Sequence, residues 1–244
     1  MWNKIQRIYV GDHYQVYPKW TPWANTFGYY TFDNQNASQI TDFSGNNRNL
    51  TWWTMPSYTL VGGSNYAGNY TNVSSGVAPS LSYSTLGWNF TMLVWVKPTA
   101  SSQSYASCLH GNTSGNLFQQ KALIWNYNSW KFEYYDSWKN NWTSFTYRTE
   151  ILSGVSLNTW HLIGYSHTNS GWTSTIQVYG DGVTWNSVNS ITTSVSFSLY
   201  LWSSNAGDRL KWQIWECVVE NRVRTAQEVA DYYNQTKATY QWFN

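Results

Sequence analysis

Residues 158–183, NTWHLIGYSHTNSGWTSTIQVYGDGV, constrain the fold more than any other stretch of this chain. They read as two amphipathic β-strands, a polar turn between them and a Gly-Asp-Gly turn at the end. In the first strand Trp160, Leu162, Gly164 and Ser166 share one face, and His161, Ile163, Tyr165 and His167 share the other. In the second, Ile176 and Val178 alternate with Thr175, Gln177 and Tyr179.

The rest of the chain repeats strand and turn. GYYTFD (28–33) precedes DFSGNNRNLT (42–51), which carries a Ser-Gly-Asn-Asn turn. NFTMLVWVKP (89–98) is apolar at most positions on both faces, as a central strand covered on both sides would be. Further strands are expected at 104–110, 119–126, 131–136, 143–149, 195–202 and 211–221. Many short strands at regular spacing argue for a sandwich. One helix follows from a capping box, Thr225-Ala-Gln-Glu228, with Val229, Tyr232, Tyr233, Thr236 and Tyr240 at helical spacing after it. Ahead of all this, KIQRIYV, Gly11-Asp12 and HYQVYPKW read as a β-hairpin, and Pro18 and Pro22 mark a linker. The expected division is a hairpin and linker over 1–24 and a single β domain over 25–244.

These segments, in this order, resemble laminin-G-like, or concanavalin-A-like, lectin domains. The resemblance rests on YTFD with DFSGN, on FTMLVWVKP, on the WHLIGY strand with its partner ending YGDG, and on WECVVENRVRTAQEV at the end. It implies an all-β fold: a concanavalin-A-like jelly-roll sandwich of two antiparallel sheets, with the N-terminal hairpin and one short C-terminal helix. It also implies a protein that binds, usually sugars. The segment IYVGD…VYP resembles N-terminal segments of phage tail and virion proteins, which would make residues 1–24 an attachment to a particle.

Eighteen tryptophans are an extreme number for 244 residues. Trp130, Trp138 and Trp142 follow polar pairs where a reversal would normally use glycine, and Trp212 and Trp215 stand where the resembled family has glycine. Three readings stand side by side. A genetic code that reads UGA as glycine, translated here as tryptophan, would give this pattern. So would turn tryptophans that stack on sugars, or an aromatic-rich sheet protein with large packed edges. UGG codons at all five positions would remove the first.

Catalytic patterns are sparse. Glycosidases on this fold set two acids along one strand, whereas Glu133 and Asp136 are three apart and point to opposite faces. Cys108 and His110 share a strand face without an evident orienting group. The four histidines show no metal-ligand spacing, and no phosphate loop or dinucleotide fingerprint appears. Cys108 and Cys217 are expected as buried thiols, with a disulfide left open. On these grounds the chain is expected not to be an enzyme.

Binding chemistry is richer. Trp125, Tyr127, Tyr134, Tyr135, Asp136 and Tyr147 are the candidate ligand-binding residues, because aromatic faces stack on pyranose rings and acids or amides fix hydroxyls. The resemblance also implies a Ca2+ site, with Asp33, Asp42 and Glu216 as candidate ligands where the first and last strands meet. The expected partner is a glycan or cell-surface polymer. A structural or decoration virion protein, or a glycoside hydrolase, are the alternatives. Charged residues are 11% of the chain, with no basic run for nucleic acid. No apolar run approaches a membrane span, and no signal peptide is visible. The expected location is extracellular or virion-associated. Asn-X-Ser/Thr triplets at Asn36, Asn49, Asn69, Asn72 and Asn89 are read as products of composition.

Overall fold

The computed structural model describes residues 6–10, 13–17, 24–36, 39–51, 57–62, 65–69, 80–83, 89–99, 106–111, 118–126, 129–139, 144–171, 173–191, 197–200 and 212–241. For some strand residues, Asp33, Cys108, Trp138 and Trp212 among them, it describes the backbone alone. Tyr127 and Trp142 lie outside the described residues.

Eighteen strands are described. They are β1 (Gln6–Val10), β2 (His13–Tyr17), β3 (Thr26–Asn36), β4 (Gln39–Asp42), β5 (Leu50–Thr51), β6 (Ser57–Gly62), β7 (Asn65–Asn69), β8 (Ser80–Tyr83) and β9 (Phe90–Pro98). They continue with β10 (Ala106–Gly111), β11 (Phe118–Asn126), β12 (Lys131–Lys139), β13 (Ser144–Ser153), β14 (His161–Asn169), β15 (Thr173–Gly180), β16 (Val183–Ile191), β17 (Phe197–Tyr200) and β18 (Trp212–Glu220). One helix, α1 (Ala226–Gln241), ends the series. Strands β1 and β2 form a two-stranded sheet of their own, with Val10 opposite His13. All described strand pairs are antiparallel.

The other strands form one hydrogen-bonded path that folds over on itself, with β6 and β7 branching from it through the pairing of β7 with β18. One layer runs β3-β18-β9-β14-β15-β16 and the other β13-β12-β11-β10-β17-β8, with β4 and β5 joining them. Rings meet across the gap between strands that share no hydrogen bonds. Tyr134 of β12 lies 5.0 Å from Tyr165 of β14, and Phe132 lies 6.0 Å from His161. This is the expected all-β jelly-roll sandwich of antiparallel sheets.

Strand alternation makes two cores. Phe90, Met92, Val94 and Val96 of β9 point between the layers, with Ile163 and Tyr165 of β14 and Leu123, Trp125, Phe132 and Tyr134 of the opposite layer. Leu93 and Trp95 point the other way, with Trp160, Leu162, Trp215 and Val218, and bury against Val229 and Tyr232 of α1. The apolar character of both faces of 89–98 follows from this: one face meets the second sheet and the other meets the helix. The capping box holds the helix start, since Glu228 N–H donates to Thr225 Oγ1 at 3.2 Å and Thr225 N–H donates to Glu228 Oε2 at 2.8 Å. Cys217 is a free thiol in the inter-sheet core, and burial pushes its pKa up, which keeps it protonated and inert.

The tryptophans separate by conformation. Trp130 has φ 52°, the left-handed region that glycine favours, and is 43% exposed. Trp215 is buried on a strand, its ring 5.6 Å from that of Trp160. The expected reversal at Asp136–Trp138 does not form, because β12 continues through it to Lys139. Trp130→Gly is expected to leave stability within about 1 kcal/mol of the parent. Release of about 1–2 kcal/mol of left-handed strain offsets loss of an edge contact to Trp125 of roughly 0.5–1.5 kcal/mol. Trp215→Gly should cost about 3 kcal/mol or more, as a large buried side chain does. Denaturation midpoints of the two variants check this, and equal losses would contradict it.

Candidate functional site

Three surfaces of the sandwich are in question. The space between the layers is filled by the first core. The outer face of β18-β9-β14 is covered by α1, and the cover is pinned by polar contacts. Tyr29 Oη donates to Glu216 Oε2 at 3.0 Å, Tyr232 Oη donates to Glu216 Oε1, and Trp95 Nε1 donates to Thr236 Oγ1 at 3.1 Å. The outer face of β11-β12-β13 has no such helix over it among the described residues.

Alternation assigns the residues of that remaining face. Phe132 and Tyr134 point into the core, so Lys131, Glu133 and Tyr135 point outward. On β13 the directly opposed residues are Glu150, facing Glu133, and Arg148, facing Tyr135. Asn126 of β11 faces Lys131. Lys131 Nζ lies 2.5 Å from Glu150 Oε2. Asn126 Nδ2 donates to Glu133 Oε2 at 3.2 Å, and Arg148 approaches the same oxygen at 3.9 Å. The Arg148 guanidinium sits 5.2 Å from the centre of the Tyr135 ring. The hydrogen bond from Lys131 holds the Glu150 carboxyl below the usual carboxylate range and raises the ammonium in turn. The result is a row of one aromatic ring, two carboxylates, two cations and an amide, all at least partly accessible except where they touch each other.

The sequence candidates divide across the sheet. Trp125, Tyr134 and Asp136 are buried on the core side, and Tyr147, opposite Asp136, packs partly buried against that core. Burial, with packing against Phe132 at 5.0 Å for Trp125 and against Tyr165 for Tyr134, keeps both rings from a ligand. Tyr135 alone of the described candidates is on the outer face. Arg148 and Glu150 were not singled out from sequence. The signal was present as Arg-Thr-Glu at alternate positions of a strand, but paired acids were sought along one strand, whereas Glu133 and Glu150 oppose each other across two.

Two of the calcium candidates, Asp42 and Glu216, carry other duties. Asp42 Oδ1 accepts from the N–H groups of Tyr29 (3.0 Å) and Ser44 (2.9 Å), and Oδ2 accepts from Ser44 Oγ (2.8 Å) and Arg48 N–H (3.0 Å). It organises the turn that follows β4. Glu216 accepts two phenol hydroxyls beneath α1. Donor groups already occupy the Asp42 and Glu216 oxygens that a cation would need, so these two residues do not fit a calcium ion, and the Asp33 side chain lies outside what the structure describes. Among the described residues no group of three or more His, Cys, Asp or Glu side chains gathers for a metal.

No family model matches the chain, and the search of curated proteins found no match. Solved structures do match. A Trypanosoma rangeli sialidase in complex with sialic acid superposes with TM-score 0.62 at 13% identity, over 90% of this chain and 34% of that one. The binding domain of botulinum neurotoxin serotype D gives 0.59 at 13%, over 86% and 51%, and the type G receptor-binding domain 0.55 at 14%, over the same shares. This chain therefore spans about a third of the sialidase chains and half of the toxin chains. The laminin G name and the tail-like reading of the N-terminal segment find no support in the comparisons. The expectation that the chain is not an enzyme is corrected by the sialidase matches, since the fold occurs within an enzyme chain as well as in binding domains. What these likenesses show is the fold, a lectin-like β-sandwich.

Proposed function

We propose that this protein recognises a glycan on the outer face of β11-β12-β13. The observation that carries the reading is the layout of the sandwich. The inter-sheet space is packed and the other outer face is covered by α1, while this face offers Tyr135 among Lys131, Glu133, Arg148, Glu150 and Asn126. A ring to stack on, flanked by hydrogen-bonding side chains of both polarities, is the chemistry that a sugar's apolar face and hydroxyl rim require. The likeness to sialidase and toxin receptor-binding domains supports a glycan or cell-surface ligand at the level of the fold.

The test is binding of the full chain to a glycan array, repeated with Tyr135→Ala. The expected result is binding by the parent and a loss of about tenfold in affinity, about 1.4 kcal/mol, in the variant. Its circular dichroism and melting temperature should stay near those of the parent, because Tyr135 lies outside both cores. Parent binding that Tyr135→Ala leaves intact would remove this face from the reading, and an empty array would remove the reading itself.

A further inference from the structure

We infer that the ligand of the β11-β12-β13 face is an uncharged, hydroxyl-rich glycan, selected against its carboxylated counterparts by a cross-strand pair of carboxylates, Glu133 and Glu150. The inference rests on the glycan reading of this face and adds the class of glycan.

The starting observation is a local rule broken. Glu133 and Glu150 are Cα partners, directly opposed on one face of an antiparallel pair. Like charges so placed destabilise a sheet, and departures of this kind concentrate where function demands them. Among the residues whose side chains are described, this face carries two cations, and each lies against a carboxylate: Lys131 on Glu150 at 2.5 Å, Arg148 near Glu133 at 3.9 Å and over the Tyr135 ring. Charge on the row is thus matched one for one. An anionic sugar arriving here would have to take a cation from a carboxylate already holding it, and would meet two carboxylates opposed to each other. A neutral sugar meets no such barrier. Ionised carboxylates accept hydroxyl hydrogens, and neighbouring hydroxyls can bond both oxygens of one carboxylate. Tyr135 and Arg148 lie two residues along the strands from the glutamates, about 7 Å away, so a sugar over the ring can reach both acids.

The pairing also predicts how selectivity would change. Glu150→Gln keeps the shape of the side chain and removes the partner of Lys131, which leaves an ammonium for an incoming carboxylate. Glu133→Gln does the same for Arg148.

The experiment is titration of the full chain with matched glycan pairs, a neutral oligosaccharide and the same oligosaccharide bearing a sialic or uronic acid, at about 50 mM and about 500 mM salt. The neutral member is expected to bind at least about tenfold tighter, with less than about a twofold change between the two salt concentrations. Glu150→Gln is expected to weaken the neutral member about tenfold and to strengthen the carboxylated one. Both variants should retain the parent's circular dichroism, since exposed ion pairs contribute little to folding. Tighter binding of the carboxylated member by the parent, weakening steeply with salt, would overturn this inference and leave the glycan reading standing. Binding of neither member to any variant would overturn both.

Discussion

Glu220→Ala is expected to destabilise the fold by about 3–5 kcal/mol, the cost of leaving a buried charge without its partner. Glu220 and Arg224 are both fully buried, and the pair is bidentate: Arg224 Nε donates to Oε2 at 2.7 Å and Nη2 to Oε1 at 2.8 Å. The pair secures the segment between β18 and α1. That segment is tied to β9 as well, because Arg224 N–H donates to Thr91 Oγ1 at 2.9 Å and Thr91 Oγ1 donates to the Arg222 carbonyl at 2.8 Å. Loss of Glu220 therefore strands a guanidinium where the helix joins the sheet. Denaturant midpoints of the parent, Glu220→Ala and the double variant Glu220→Leu/Arg224→Met measure it. The double variant should recover part of the loss, since replacing both charges removes the uncompensated one. A loss below about 1 kcal/mol in the single variant would show that the pair behaves as a surface salt bridge.

Gly164→Ala should cost about 3 kcal/mol or more, at the upper end of overpacking. Gly164 sits in β14 opposite Leu93 of β9, and a Cβ there would lie 2.2 Å from the Met92 carbonyl oxygen and 2.7 Å from Leu93 Cδ2. The first of these is backbone in the middle of the sandwich, which cannot swing aside as a side chain can. The expected fall in melting temperature is roughly 6–12 °C for a domain of this size. Gly171→Ala is the control, because nothing lies within 4 Å of its Cβ position and only its φ of 86° opposes the change. Equal effects at the two glycines would show that the close approach of β9 and β14 is not what excludes a side chain.

Much of the fold was legible because alternation and order carry it. Face assignments for 160–167 hold residue by residue: Trp160 and Leu162 join the helix-side core, Ile163 and Tyr165 the inter-sheet core. The capping box marks the helix start at its true place. The short strands β6 to β8 and the strand β16 were not foreseen, since four to six residues, or a polar run such as VTWNSVNSI, give alternation little to work on. The site was only partly legible for a related reason. Aromatic density at 125–147 does not say which face of a strand is which, and among its described residues Trp125, Tyr134 and Asp136 turn inward with Phe132. The Glu133–Glu150 opposition depends on the pairing of two strands with a bulge beside it, and register of that kind is not written in either strand alone.

The most direct measurement is a crystal structure of the chain soaked with a neutral oligosaccharide that it binds. A sugar ring stacked on Tyr135, with hydroxyls bonded to Glu133 or Glu150, is the expected result. A sugar seated elsewhere, on the exposed Trp130 turn or against α1, with the β11-β12-β13 face bare, would contradict it.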